Sequence, residues 1–232
     1  KGGANVLKAD PYGFSSQMRP DNASVVADLS GFEWNDKEYM SARKKNNPLD
    51  GPVNIYEVHL GSWKRFEDGN TLSYRDLAKE LVSYIKDMGY THIEMLPVAE
   101  FPFDGSWGYQ VTGYFAATSR FGTPADLMYL VDKCHQNGIG VIMDWVPGHI
   151  CRDEFGLYMF DGSALYDYSD PKIRDNEVWG TANLDLGKGL TKSFLYSNAM
   201  FWLKYFHVDG FRVDMADSLV KNDDNKEATI EV

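Results

Sequence analysis

The 232-residue chain has two cysteines, Cys134 and Cys151, which cannot make the dense disulfide framework of a small secreted domain. No CxxC pair exists, so a zinc ribbon or a thioredoxin-type motif is excluded. Two free thiols suit a reducing compartment, and the cytoplasm is the expected location. Five histidines, at 59, 92, 135, 149 and 207, form neither HxH nor HExxH. Metal catalysis therefore lacks its ligand pattern, and no metal is expected. No apolar run approaches the roughly 20 residues that cross a bilayer, and no membrane partner is expected. There is no basic-then-apolar leader, and the first residue is Lys1. The expectation is a chain that begins inside something longer, or one that was processed. Basic residues are outnumbered, 23 against 34 acidic, for a net charge of −11. Such a chain repels phosphate backbones, which excludes nucleic acid as a partner and favours an uncharged substrate. The one compact basic cluster is Arg43-Lys44-Lys45. No glycine-rich phosphate loop follows any candidate strand; "VHLGSW" is not GxGxxG, and no nucleotide cofactor is expected. Internal repeats and low-complexity tracts are also missing.

What is present is an ordered alternation. Hydrophobic residues make up 44% of the chain, enough for a sizeable core. Residues 1–50 show no sustained period and read as loops and short strands, and "MSARKKNNPLDGP" as a polar connector. From residue 52 the pattern becomes regular. "VNIYEVHL" predicts a strand. A helix follows, with Leu77, Leu81 and Ile85 spaced by four, a Ser73/Asp76 capping box and Gly89 at its end. "HIEMLPV" predicts the second strand. Thr123, Pro124 and Asp126 open a second helix with the stripe Leu127, Leu130, Val131 and Cys134, closed by Gly138. "IGVIMDWV" predicts a third strand, apolar enough to be covered on both faces. Residues 147–190 form a long connection, whose length marks a functional excursion. "KSFLYSNAMFWLKYFH" predicts the third helix and "GFRVDMA" the fourth strand. Another helix starts near Asp224.

Strand–helix alternation at this spacing predicts parallel βα units with right-handed crossovers. Chemistry-bearing residues gather at strand ends, where barrel active sites lie. A complete (β/α)8 TIM barrel takes about 250 residues. The expectation is α/β architecture: the first half of such a barrel, about four βα units over residues 51–232, truncated after the fourth strand. Residues 1–50 would close an N-terminal β-sandwich module and its linker.

Side chains alternate along a strand, so Arg212 and Asp214 share one face and Phe211, Val213 and Met215 the other. With the apolar face on the helices, the charged face points to the barrel axis. A cation beside Asp214 keeps it ionised, as a nucleophile or an electrostatic stabiliser; a structural ion pair reads equally well. Asp144 and His149, in "MDWVPGHI", fit hydroxyl binding or a capped turn with a surface histidine. "FPFDGSWGYQVTGY" is aromatic and glycine-rich, suited to stacking sugar rings or to a structural loop.

Taken together, "NIYEVHLGSWKR", "EMLPVAEFPFDGSWGYQVTGYFAATSRFGTP", "GVIMDWVPGHI" and "HVDGFRVD" resemble the 1,4-α-glucan branching enzymes, of the α-amylase clan of glycoside hydrolases. The resemblance spans nearly the whole chain. "DGSWGYQ" and "DWVPGH" are specific, whereas "RVD" is common to the clan. "KADPYGF…MRPDNASVVADL" resembles the join after the family's N-terminal carbohydrate-binding module. The resemblance implies that Asp214 is the nucleophile and that Arg212 orients it within the substrate site. It implies that Asp144, His149 and Tyr109 bind substrate, Tyr109 beside the cleaved bond. The partner is α-glucan, glycogen or amylose. The implied chemistry is retaining, with nucleophile and general acid about 5–5.5 Å apart and a 6-hydroxyl intercepting the intermediate. After "RVD" the chain departs from the family and is closer to other clan members.

In this clan the general acid is a glutamate after the fifth strand. Asp217, Asp223, Asp224, Glu227 and Glu231 are the late carboxylates here, and none sits at such a position. A βα unit needs about a dozen residues before its next strand. The expectation is an N-terminal half of a branching enzyme, inactive without the missing C-terminal half of the barrel. Two alternatives remain: an α-amylase-type hydrolase, and a non-catalytic glucan-binding half barrel with open sheet edges.

Overall fold

The computed structural model describes residues 5–46 and 50–219. The expected helix near Asp224 lies outside them, as do Asp223, Asp224, Glu227 and Glu231; the side chain of Asp217 does too. The chain opens with a short hairpin, β1 (Ser15–Ser16) antiparallel to β2 (Ser24–Val25). A helix follows, α1 (Lys37–Arg43). This corrects the connector reading, because Met40 to Arg43 are helical. Glu38 in the first turn and Arg43 in the last complement the helix dipole. Tertiary contacts do the rest: Arg43 Nη1 donates to Asp209 Oδ1 at 2.7 Å, and the Tyr39 ring stacks on His135 at 4.1 Å.

The regular part runs β3 (Ile55–Val58), α2 (Leu60–Trp63), α3 (Tyr74–Asp87) and β4 (His92–Met95). A hairpin, β5 (Ala99–Glu100) with β6 (Gly113–Ala117), frames the aromatic loop between them. Next come α4 (Pro124–Gln136) and β7 (Gly140–Trp145). The long connection is itself folded. It holds β8 (His149–Cys151), α5 (Pro171–Arg174), β9 (Asp175–Asn176) and β10 (Thr181–Asn183). Strands β8, β10 and β9 form a small antiparallel sheet in that order. Finally α6 (Gly189–Tyr205) leads into β11 (Gly210–Val213).

Both predicted capping boxes are present, Ser73 with Asp76 and Thr123 with Asp126. After the two helices the chain turns at Gly89 (φ 77°) and Gly138 (φ 73°), where a β-carbon would be strained. Leu77, Leu81 and Ile85 of α3 and Leu127, Leu130, Val131 and Cys134 of α4 are all buried. Those stripes, and Phe194 and Trp202 of α6, make the core.

Strands β3, β4, β7 and β11 form one parallel sheet, adjacent in space in chain order. A doubly wound sheet reverses its strand order; these four strands do not, as in consecutive strands of a (β/α)8 barrel. Register partners share a face. Glu57 pairs with Glu94, Glu94 with Ile142, Ile142 with Gly210, and Asp144 with Arg212. The opposite face carries Val58, Ile93, Met95, Val141 and Met143, all buried. Within β11, Arg212 and Phe211/Val213 divide as predicted. Met215, expected on the apolar face, instead lies past the strand end and lines a cleft with Asp214, because its backbone turns left-handed.

Residues 5–46 lie against this unit. Tyr12 packs on Phe115 and Phe194, with centroids 5.2 and 5.4 Å away, and Phe14 stacks on Phe201 at 5.2 Å. Among the described residues, no helix is long and apolar enough to cross a membrane.

Candidate active site

The site grows from the C-terminal ends of β7 and β11. Asp144 is the penultimate residue of β7 and is 2% exposed. Arg212 lies beside it in register on β11. Asp214 follows the strand, and its N–H extends the ladder by donating to the Trp145 carbonyl at 2.8 Å. Then Met215 takes a left-handed backbone, φ 49°, and the strand direction ends.

Arg212 Nη1 joins the two carboxylates. It donates to Asp144 Oδ1 and Oδ2 at 3.0 and 3.1 Å and to Asp214 Oδ1 at 2.8 Å. The Tyr109 hydroxyl donates to Asp144 Oδ2 at 2.6 Å, and the guanidinium lies 5.8 Å from the Tyr109 ring centroid. A glycine positions that tyrosine. Gly108 has φ 96°, and a β-carbon there would meet the Pro97 carbonyl oxygen at 2.5 Å. His149 Nε2 lies 2.9 Å from the Tyr109 carbonyl oxygen. A carbonyl only accepts, so Nε2 carries the proton and Nδ1 is left as an acceptor.

All five residues singled out in the sequence therefore meet: Tyr109, Asp144, His149, Arg212 and Asp214. Their electrostatics divide by burial. Burial pushes the Asp144 carboxyl up, and the Tyr109 hydroxyl and Arg212 offset only part of that. For Asp144, desolvation outweighs the arginine beside it. Burial, then the bond to Asp144, raises the Tyr109 hydroxyl, so it stays a donor. Burial lowers the His149 imidazole, keeping it neutral near pH 7. Burial works against the Arg212 charge, but the bond to Asp144 and the nearby charges outweigh it. Glu94, on the same sheet face, is raised by burial and then by Glu57 on the next strand.

Beside the cluster opens a cleft of about 370 Å³. Tyr109, His149 and Asp214 line it, with Ser106, Gln110, Trp179, Thr181 and Met215. Ser106 and Gln110 belong to the loop flagged for sugar stacking, Met215 was expected on the opposite face, and Trp179 and Thr181 were missed. Trp179 was the discoverable one, a large aromatic in a Gly- and Asp-rich excursion.

Tyr109→Phe tests the clamp directly. At pH 7 it should cost about 1.5–3 kcal/mol of unfolding free energy, the worth of a hydrogen bond to a buried charge. The Asp144 carboxyl is already raised, so losing a donor penalises only its ionised form. The cost should shrink as pH falls and Asp144 protonates. Urea unfolding at pH 7 and pH 5 measures this; equal losses at both would contradict it.

Parallel strands in chain order, with an arginine-bridged carboxylate pair at their C-terminal ends, fit the α/β architecture of barrel proteins. The family model for the alpha amylase catalytic domain matches residues 63–185, and the chain belongs to that family. Within it, the chain is similar to branching enzymes, as the quoted segments imply. It is 56% identical over 227 residues to the 1,4-alpha-glucan branching enzyme GlgB of Bacillus mycoides (strain KBAB4), covering 97% of this chain and 35% of that protein. It is 56% identical over 218 residues to the enzyme of the same name from Bacillus caldolyticus, covering 94% and 33%. A solved structure of a putative alpha amylase from Salmonella typhimurium covers 98% of this chain and 35% of that one, with a TM-score of 0.78 at 23% identity. That likeness speaks for the fold. The chain spans about a third of the length of these relatives.

Proposed function

We propose that this chain carries the nucleophile-bearing part of a 1,4-α-glucan branching enzyme. One observation carries the reading: Arg212 holds Asp214 at the mouth of a cleft whose wall is Tyr109 and His149. Asp214 attacks the anomeric carbon of an α-1,4-linked glucosyl unit, and the leaving 4-oxygen takes a proton from a general acid. The covalent glycosyl ester is then attacked by a glucan 6-hydroxyl, which gives its proton to the now-deprotonated acid as the bond to Asp214 breaks, and two inversions give net retention. Arg212 orients Asp214, while Asp144, Tyr109 and His149 hold the sugar hydroxyls. The free, buried thiols Cys134 and Cys151 suit a reducing cytoplasm.

The acid is the missing part. Arg212 holds two carboxylates, and Asp144 spends both oxygens accepting from Arg212 and Tyr109. It is not free to sit across the scissile bond as a donor. In this reading the general acid is a glutamate after the fifth strand, as in the clan, outside the described residues. In this reading residues 1–50 close an N-terminal β module and linker. Residues 51–232 open the barrel with four βα units, and the remaining half of the barrel completes the site.

The test is a hybrid in which this chain replaces the matching 227 residues of the Bacillus mycoides enzyme. The hybrid should lower amylose–iodine absorbance and yield new short chains on debranching, while the 232-residue chain alone should do neither. Branching by the chain alone would remove the missing-acid argument. Reducing ends without new branches would favour an amylase-type hydrolase.

A further inference from the structure

The small sheet of the long connection sets Thr181, whose hydroxyl is unused, into the wall of the cleft. On β10, Thr181 pairs with Cys151 of β8, and Asn183 with His149. Thr181 therefore faces the same side of that sheet as His149. Thr181 is 1% exposed, and its Oγ1 has no hydrogen-bond partner among the described residues. Among the described buried side-chain atoms in that state, it is the one that lines the active cleft. A buried hydroxyl without a partner carries a standing cost, and native structures rarely keep one without a use.

Two residues before it stands Trp179, 46% exposed. Its backbone is pinned on both sides. Asn176 Oδ1 accepts from the N–H groups of Val178 and Trp179 at 3.1 and 3.2 Å, and Gln110 Nε2 donates to the Trp179 carbonyl at 3.2 Å. The indole is thus presented by a fixed turn, 6.0 Å from the His149 ring. A rigid aromatic face beside a hydroxyl is amphipathic in the way a pyranose is. The C–H face of the sugar covers the ring, and a sugar hydroxyl meets the threonine.

We propose that Trp179 and Thr181 form a glucosyl-binding position of the cleft, next to the unit that Asp214 attacks. The position sets affinity for, and the register of, the glucan segment. The proposal rests on the glucan reading above, and its test separates the two.

The measurement is maltoheptaose binding by calorimetry to the Bacillus mycoides hybrid, carrying Asp214→Asn so that the glucan is not consumed, with thermal midpoints taken in parallel. Thr181→Val keeps shape and removes the hydroxyl. It should weaken binding roughly five- to ten-fold, the share of one hydrogen bond. Its midpoint should stay level or rise, because the unpaired group is gone. Thr181→Ser should restore most of the affinity. Trp179→Ala, at an exposed position, should weaken binding at least about ten-fold with little change in midpoint. Wild-type affinity in both Thr181→Val and Trp179→Ala would overturn the inference alone. A Thr181→Val variant that lost stability and affinity together, unrescued by serine, would mark a packing role and also overturn it. A hybrid with Trp179 and Thr181 intact that did not bind maltoheptaose would overturn the glucan reading, and this position with it.

Discussion

Asp214→Asn, introduced into the Bacillus mycoides hybrid, should lower branching by about 10⁴-fold or more, as removal of a catalytic nucleophile does. The substitution is close to isosteric. The amide oxygen can still accept from Arg212, which now donates to the carboxylate at 2.8 Å, and the backbone bond to Trp145 is untouched. What disappears is the negative charge that makes this oxygen nucleophilic enough to attack the anomeric carbon. Binding should therefore survive within a few-fold while turnover collapses.

The competing reading of Asp214 is a structural ion pair, and magnitudes separate the two. The Arg212 side chain is 43% exposed, so its bond to Asp214 is partly screened by solvent. Such a pair is worth roughly 0–1 kcal/mol of stability, which cannot produce a loss of four orders of magnitude in rate. A fluorinated glucosyl donor that deglycosylates slowly should add one sugar mass to the hybrid, on the peptide holding Asp214. No adduct should form on Asp214→Asn. More than about one per cent residual activity in that variant would exclude Asp214 as the nucleophile.

The parts of the molecule that could be read from sequence are those with a long enough period. The stripes of α3 and α4 repeat over three turns, and their capping boxes and terminal glycines mark both ends. The alternation in β11 was enough to put Arg212 and Asp214 on one face. It could not show that Asp144 stands beside Arg212, because that is a matter of register between strands. Helix α1 was hidden by its polar sequence, and its partners Asp209 and His135 lie far along the chain. Two- and three-residue strands such as β5, β8 and β10 have no period to detect. The cleft wall escaped for the same reason: Trp179 and Thr181 reach Asp214 only through the pairing of β10 with β8. Charge was legible by type but not by environment: that burial pushes the Asp144 carboxyl up depends on its place beside the Arg212 strand.

The other large effect is expected at the opposite ends of the strands. Asp209 precedes β11 and is an acceptor for three donors. Its Oδ2 takes the Val141 N–H at 2.7 Å and faces His135 Nε2 at 3.0 Å, and its Oδ1 takes Arg43 Nη1 at 2.7 Å. His135 is in turn 2.9 Å from buried Asp36, which also holds His207 at 2.7 Å. One carboxylate thus ties α1, the end of α4, and the starts of β7 and β11. Its charge matters as well as its shape, because the Arg43 guanidinium beside it is paired with it. Asp209→Ala should cost about 3–5 kcal/mol at pH 7, the penalty for removing one partner of a buried ion pair. The sign of its pH dependence follows from the carboxyl itself. Burial pushes it up, but the bonds from His135, Val141 and Arg43 outweigh that and hold it below the usual range. A depressed carboxyl contributes stability that is complete above its unfolded value, about 3.9, and is lost as pH falls through the folded one. The gap between wild type and Asp209→Ala in urea unfolding should therefore hold from pH 7 down to about pH 5 and close below the unfolded value. A gap under about 1 kcal/mol at pH 7, no more than a surface pair supplies, would show that the network is not what joins these elements. So would a gap that persisted unchanged into acid.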